Sequence, residues 1–211
     1  MSVLNDISSF LQQGRAKNVK ELVQKALDDG LSAGQILDEG LLAGMSIVGV
    51  KFKNNEVYVP EVLIAARAMN AGMEILKPVL VSSNTQSKGK AVMGTVKGDL
   101  HDIGKNLVKI MFEGKGIEVV DLGVDVAPEA FVDAAIEQNA QIIACSALLT
   151  TTMNAMRDVV EAAKQKGVRD KFKIMVGGAP VTETFCQSIG ADYFTSDAAS
   201  ASDVALQICL A

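Results

Sequence analysis

The chain contains no tryptophan, one histidine and two tyrosines, and aromatic residues make up only 4% of its 211 positions. A single histidine excludes every metal site built on two imidazoles, including the HExxH metalloproteases and the two-histidine facial-triad irons. Cysteine is nearly as scarce: Cys145, Cys186 and Cys209 lie far apart and form no CxxC pair. Neither a disulfide framework nor a thiolate zinc centre follows from that spacing, and a reducing cytoplasm is the simplest setting. Positive charge is in deficit, with 20 Lys and Arg against 25 Asp and Glu, a formal net charge of −5. A nucleic-acid partner, which needs a clustered basic surface, is therefore not expected. Nor is a membrane. The longest apolar stretch, residues 41–50, is broken by Gly44, Ser46 and Gly49, well short of the ~20 residues a bilayer demands. No basic segment precedes an apolar run near Met1, so no signal peptide is expected.

With 49% hydrophobic and 21% charged residues, the composition is that of a globular protein, and it carries two rhythms. Over residues 1–82 the pattern is helical. Val3, Leu4, Ile7, Phe10 and Leu11 share one face, and Val19, Leu22, Val23, Ala26 and Leu27 another, before Gly30. Ser32 is placed to cap a third helix carrying Ile36, Leu37, Leu41, Met45 and Val48. A fourth begins at Pro60, turns Leu63, Ala66, Met69, Met73 and Leu76 inward and ends before Pro78. Four short helices with short connections predict a small antiparallel bundle. Residues 83–89 are polar and without period, as in an interdomain linker. Over residues 90–211 strands (91–95, 118–122, 141–146, 173–176, 192–195) alternate with amphipathic helices (104–113, 128–138, 152–166, 181–189, 200–210). That alternation predicts an α/β, Rossmann-like (flavodoxin-like) domain with a five-stranded parallel sheet.

Ligands of such sheets bind beyond the carboxyl ends of the strands, where strand order reverses. For the order 2-1-3-4-5 that point lies between the first and third strands. The residues 97–106 (Lys-Gly-Asp-Leu-His-Asp-Ile-Gly-Lys-Asn), the hydroxyl run after Cys145 and the pair Gly177-Gly178 all fall at this edge. Gly98 to Gly104-Lys105 is no Walker A loop, because five residues separate the glycines and Asn106 stands where Ser or Thr would hold magnesium. No GxGxxG follows a strand, and Ser146 lacks the GxSxG elbow of a hydrolase. What remains is Asp99-x-His101 on a glycine-flanked loop. A carboxylate beside an imidazole fixes its tautomer and makes the other nitrogen a better metal donor. One ligand does not make a zinc site, but it is enough for a metal that arrives inside a macrocycle. A hydrogen-bonded loop histidine with no ligand remains the alternative.

Asp99-x-His101-x-x-Gly104, Ser146-x-Leu148 after 41 intervening residues and Gly177-Gly178 after 28 more together resemble the cobalamin-binding signature. That family includes the cobalamin domain of methionine synthase, the adenosylcobalamin mutases and the corrinoid proteins of anaerobic methyltransferase systems. The N-terminal half is similar to the cap of the methyl-transferring members, so the resemblance spans nearly the whole chain.

The resemblance implies that His101 is the lower axial ligand to cobalt, with the cofactor's dimethylbenzimidazole displaced into a slot near Ser146, Leu148, Gly177 and Gly178. Asp99 would accept from the other imidazole nitrogen, and Thr152 would be the relay hydroxyl, a position that is Ser in methionine synthase. Gly98, Leu100, Asp102, Ile103, Gly104 and Thr150 would border the corrin, and Ala198 the nucleotide. In the cap, Phe52 and Val59 align with the apolar pair that covers the methyl face, Val59 standing for a Leu, and Asp38 with an acidic residue near it. The alternative for Phe52 and Val59 is ordinary bundle core.

By the same resemblance the protein is a methyl carrier whose bound cobalamin is methylated in its loaded state. Its partners would be a substrate:corrinoid methyltransferase, an acceptor methyltransferase and a reductive activator. A cobalamin-binding sensor and a small subunit of an adenosylcobalamin mutase are the rival readings.

Overall fold

The computed structural model describes residues 2–82 and 87–211; residues 83–86, most of the expected linker, lie outside the described residues. Two compact units result. The first comprises the helices up to residue 82 with Gly114–Gly116, and the second Lys88–Glu113 with Ile117–Ala211.

In the helical unit, α1 (Val3–Gln12) is capped by the Ser2 hydroxyl, which accepts from the Asn5 N–H, and α2 (Ala16–Asp28) follows. The third helical run is not uniform. A single turn, α3 (Ala33–Gln35), leads into a π-helical stretch, Ile36–Leu42, and then α4 (Ala43–Lys53). Ser32 caps it through the Gln35 N–H. Close approach explains two glycines in this run: a Cβ on Gly40 would press on Ile7, and one on Gly44 on the backbone of Ser8.

Two expectations for the fourth helix need correction. α5 (Val59–Ser82) is 24 residues long and continues through Pro78. Pro78 and Glu74, whose carbonyl loses its partner, are both exposed, so water can satisfy that carbonyl, while buried Leu76 and Leu80 hold the helix on either side. Leu63, expected inward, is exposed; the buried stripe runs instead through Val62, Ala65, Ala66, Ala68 and Met69. The start of α5 is fixed by Glu61, whose carboxylate accepts from the Tyr58 N–H, one half of a capping box.

The second unit is a five-stranded sheet of order β2-β1-β3-β4-β5 with every neighbouring pair parallel. Its elements are β1 (Gly89–Thr95), α6 (Ile103–Glu113), β2 (Ile117–Asp121), α7 (Pro128–Glu137), β3 (Ile142–Ser146), α8 (Asn154–Gln165), β4 (Lys173–Gly177), α9 (Glu183–Ile189), β5 (Tyr193–Phe194) and α10 (Ala198–Leu210). Side-chain alternation divides the core. Val92, Ile143 and Ile174 face α7, α8 and α9, packing with Phe131, Val159 and Ile189. Met93, Ala144 and Met175, aligned across β1, β3 and β4, face α6 and α10 with Phe112 and Ala201. Two residues further along, Thr95, Ser146 and Gly177 form the next row on that face. The residues shrink towards the carboxyl edge, which opens a space there.

Candidate functional site

Beyond β1 the chain turns at Gly98, which has φ +83, into the loop that carries Asp99 and His101. Asp99 has no exposed surface, whereas the His101 side chain is 51% exposed. Nδ1 of His101 lies 2.7 Å from Asp99 Oδ1, and the His101 backbone N–H donates to the same oxygen at 3.1 Å. A carboxylate only accepts, so Nδ1 carries the proton and the neutral ring presents its lone pair at Nε2. Among the described residues Nε2 has no partner. The loop is held behind His101 as well, because the buried Thr95 hydroxyl donates to the His101 carbonyl at 2.8 Å.

Asp99 Oδ2 faces the β3–α8 loop. It accepts the N–H of Leu148 (2.8 Å) and Leu149 (3.2 Å) and the Thr152 hydroxyl (2.8 Å). Burial pushes the Asp99 carboxyl up, but the donors from His101, Thr152 and Leu148 outweigh it and hold the group far below the usual carboxylate range. It is a fixed anion under the imidazole. Thr152 Oγ1 also lies 2.9 Å from the Leu149 carbonyl, so its one proton serves two acceptors in turn. A Cβ added to Gly98 would stand 3.5 Å from the Thr152 methyl, an ordinary contact.

A slot of about 460 Å³ opens beside this loop, between the sheet face of Met93, Ala144 and Met175 and helices α6 and α10. Ser146, Gly104, Gly177, Gly178 and Ala198 line it, and Ser146 Oγ has no partner among the described residues. The two neighbouring glycines have different causes. A Cβ on Gly177 would meet nothing within 4 Å, so its absence widens the slot; Gly178 has φ +135 and a Cβ there would overlap the Ala147 carbonyl. Leu148 is 45% exposed and is not among the residues that line the slot; its N–H is turned to Asp99.

Around His101 the surface is apolar where solvent would favour polar residues: Leu100 and Ile103 are 71% and 79% exposed, and Leu149 joins Leu148. Thr150 is exposed on the same loop, and Asp102 accepts from the Asn106 amide at the start of α6. Phe52 and Val59, both half-buried, flank the turn between α4 and α5, and Asp38 lies in the π-helical stretch of the helical unit.

Sequence reasoning missed three residues. Lys105 is buried, with Nζ 2.8 and 2.9 Å from the two carboxylate oxygens of Asp121 and 2.8 Å from Asn106 Oδ1; Lys109 adds a second cation at 3.3 Å. Asp125, in the left-handed region at φ 54, accepts the Gly98 N–H at 2.7 Å and donates its own N–H to the Asp99 carbonyl at 3.0 Å. For Lys105 the available signal was a cation inside an amphipathic helix facing Asp121 at a strand end. Asp125 offered none beyond a turn-forming residue type.

Chemically, the site offers one oriented imidazole, an apolar rim and a slot. Among the described residues no three His, Cys, Asp or Glu side chains are grouped to hold a metal ion. The donor set therefore fits a metal whose equatorial ligands come with it, in a planar group with a tail for the slot.

Two family models, each described as a B12 binding domain, match residues 3–77 and 89–204. A corrinoid protein of Desulfitobacterium hafniense is 41% identical over 99% of this chain and 98% of its own length. Dimethylamine corrinoid protein 1 of Methanosarcina acetivorans is 45% identical over 94% of this chain and 93% of its own. Among solved structures, a chain of the methanol:cobalamin methyltransferase complex of Methanosarcina barkeri is similar with a TM-score of 0.89 and 30% identity, covering 98% of this chain and 79% of that one.

Proposed function

The chain belongs to the B12-binding family and binds a corrinoid of the cobalamin type; on that premise we propose that it is the methyl carrier between two methyltransferases. The observation that carries the reading is the half-exposed His101, with Nδ1 engaged and Nε2 unpartnered beside the slot. In this reading His101 would hold the cobalt through Nε2. The slot receives the nucleotide tail, with Ser146 Oγ as a donor, Gly104 and Gly177 leaving room and Ala198 at its edge. Residues 1–82 act as the cap, with Phe52, Val59 and Asp38 toward the methyl-bearing side, residues 83–89 as the linker, and residues 90–211 as the cobalamin-binding domain.

When bound, the corrinoid would supply a cobalt centre able to take up and release a methyl group. The protein's part is to hold and release one nitrogen. While His101 ligates, Asp99 keeps the proton on Nδ1 and so keeps the lone pair on Nε2. A proton reaching Nε2 from solvent while that nitrogen is off the metal would be balanced by the anionic Asp99. Thr152, half-buried, shifts its single hydroxyl proton between Asp99 Oδ2 and the Leu149 carbonyl as the charge on the pair changes.

Two Methanosarcina relatives are named for dimethylamine and trimethylamine, which supports a small methylated amine as the donor, against the methanol of the complex that the fold also matches. A substrate:corrinoid methyltransferase would present it, an acceptor methyltransferase would pass the group to a thiolate, and a reductive activator would restore oxidised cofactor. The test is to load the protein with cobalamin, reduce it and supply methylamines with a cognate methyltransferase. The expected result is a methylated corrinoid on the protein, read by absorption. Replacing His101 with Gly should retain corrinoid and lose the imidazole-ligated spectrum. Purified protein that binds no corrinoid overturns the reading, and binding without methyl uptake favours the sensor.

A further inference from the structure

We propose that Asp125, which lies outside every motif of the signature, is a positioning residue for His101. The proposal rests on the reading of His101 as axial ligand. Parallel pairing of β1 and β2 does not stop at the strand ends. The Thr95 N–H donates to the Gly123 carbonyl at 2.9 Å and the Val126 N–H to the Thr95 carbonyl at 3.0 Å, with Val96 and Val126 bridged. Asp125 sits inside this extension in a left-handed conformation that Asp adopts more readily than most residues.

That conformation aims two of its groups at one dipeptide: Oδ1 receives the Gly98 N–H and the Asp125 N–H reaches the Asp99 carbonyl. The Asp99 N–H is already tied to the Val96 carbonyl at 3.1 Å, within the same loop. Asp125 therefore provides the anchor of the Asp99 main chain from outside that loop. The bond from Gly98 is charge-assisted and short, and it restrains the one residue in the loop with the greatest backbone freedom. Asp99 Oδ1 must stay 2.7 Å from Nδ1 to orient the ring, and partners behind a ligand of this kind set its orientation. Asp125 acts on the imidazole one residue further back, through Asp99.

The test compares Asp125→Gly, which keeps the left-handed backbone and removes the acceptor, with Asp125→Asn, which keeps an oxygen there. The full chain is loaded with cobalamin and reduced to the cobalt(II) form at one fixed pH. The protein is labelled with nitrogen-15, so that a two-line nitrogen splitting in the electron paramagnetic resonance spectrum reports imidazole on the metal and a three-line splitting the cofactor's own benzimidazole. Asp125→Gly should lower the ratio of imidazole-ligated to unligated corrinoid about tenfold, the equivalent of one charged hydrogen bond, and Asp125→Asn should stay within about twofold of wild type. In the cofactor-free protein the Gly98 and His101 amides should exchange faster in Asp125→Gly. A wild-type ratio in Asp125→Gly, or an equal loss in both variants, overturns the proposal. Absence of the two-line imidazole splitting in labelled wild type overturns the His101 reading instead. If circular dichroism shows that Asp125→Gly does not fold, Asp125→Ser, whose hydroxyl falls short of the Gly98 amide, gives the same comparison.

Discussion

Among the described residues Asp99 Oδ1 serves only His101, and Oδ2 only the loop after β3, so one side chain joins the two loops that make the site. Replacing Thr152 with Val, equal in shape but without a hydroxyl, removes one donor from a buried anion. It should lower stability by about 1–2 kcal/mol, while Thr152→Ser should restore it, both read from urea midpoints. The two slot glycines separate fold from ligand. Gly177→Ala should leave stability within about 1 kcal/mol of wild type yet weaken corrinoid binding in a titration, since its methyl enters open space. Gly178→Ala should destabilise by about 3 kcal/mol or more, because its backbone conformation and the Ala147 carbonyl both oppose a Cβ.

At the scale of elements, α6 is pinned to the end of β2 by Lys105 and Asp121, a cation and an anion that are both largely out of solvent. Burial pushes the Asp121 carboxyl up, but the Lys105 hydrogen bond, the Gly123 N–H and the charges of Lys105 and Lys109 bring it below the ordinary value. A carboxyl lowered in the native state adds stability that is complete above its unfolded pKa of about 3.9 and fades as pH falls through the native value. Asp121→Asn should therefore cost about 3 kcal/mol near neutrality, by leaving the Lys105 ammonium without its counter-charge. It should also flatten the acid limb of a stability-against-pH curve. The five strands and the order 2-1-3-4-5 were legible because short apolar runs punctuated by turns have few alternatives in an alternating α/β chain. The end of α5 was not. Pro78 reads as a stop, and only the burial of Leu80 beyond it explains why the helix continues. The π-helical stretch was equally hidden, since its apolar residues fit an α-helical face until packing against α1 is known. In the site, the Asp99-x-His101 pair stood out in the sequence and Thr152 came only from the family resemblance, whereas Asp125 had no signal, because its contacts join segments 26 and 27 residues apart.

For the molecule as a whole, the residues proposed to hold the corrinoid ring and tail lie at or beyond the carboxyl edge of one sheet, on loops and on the first turns of α6 and α10. Binding there should tie those elements together. Cobalamin at a hundred times its Kd should raise stability by about 2.7 kcal/mol. Hydrogen exchange should slow most in α6, in α10 and in the loops after β1 and β3, which a melt with and without cofactor and peptide-level exchange can check. The neighbouring glycines also bear on descent. One is demanded by the backbone, the other by the guest. A descendant that keeps glycine at 178 but carries a bulkier residue at 177 would have inherited the architecture and surrendered the cofactor. Two adjacent codons would then keep separate records of ancestry and of use.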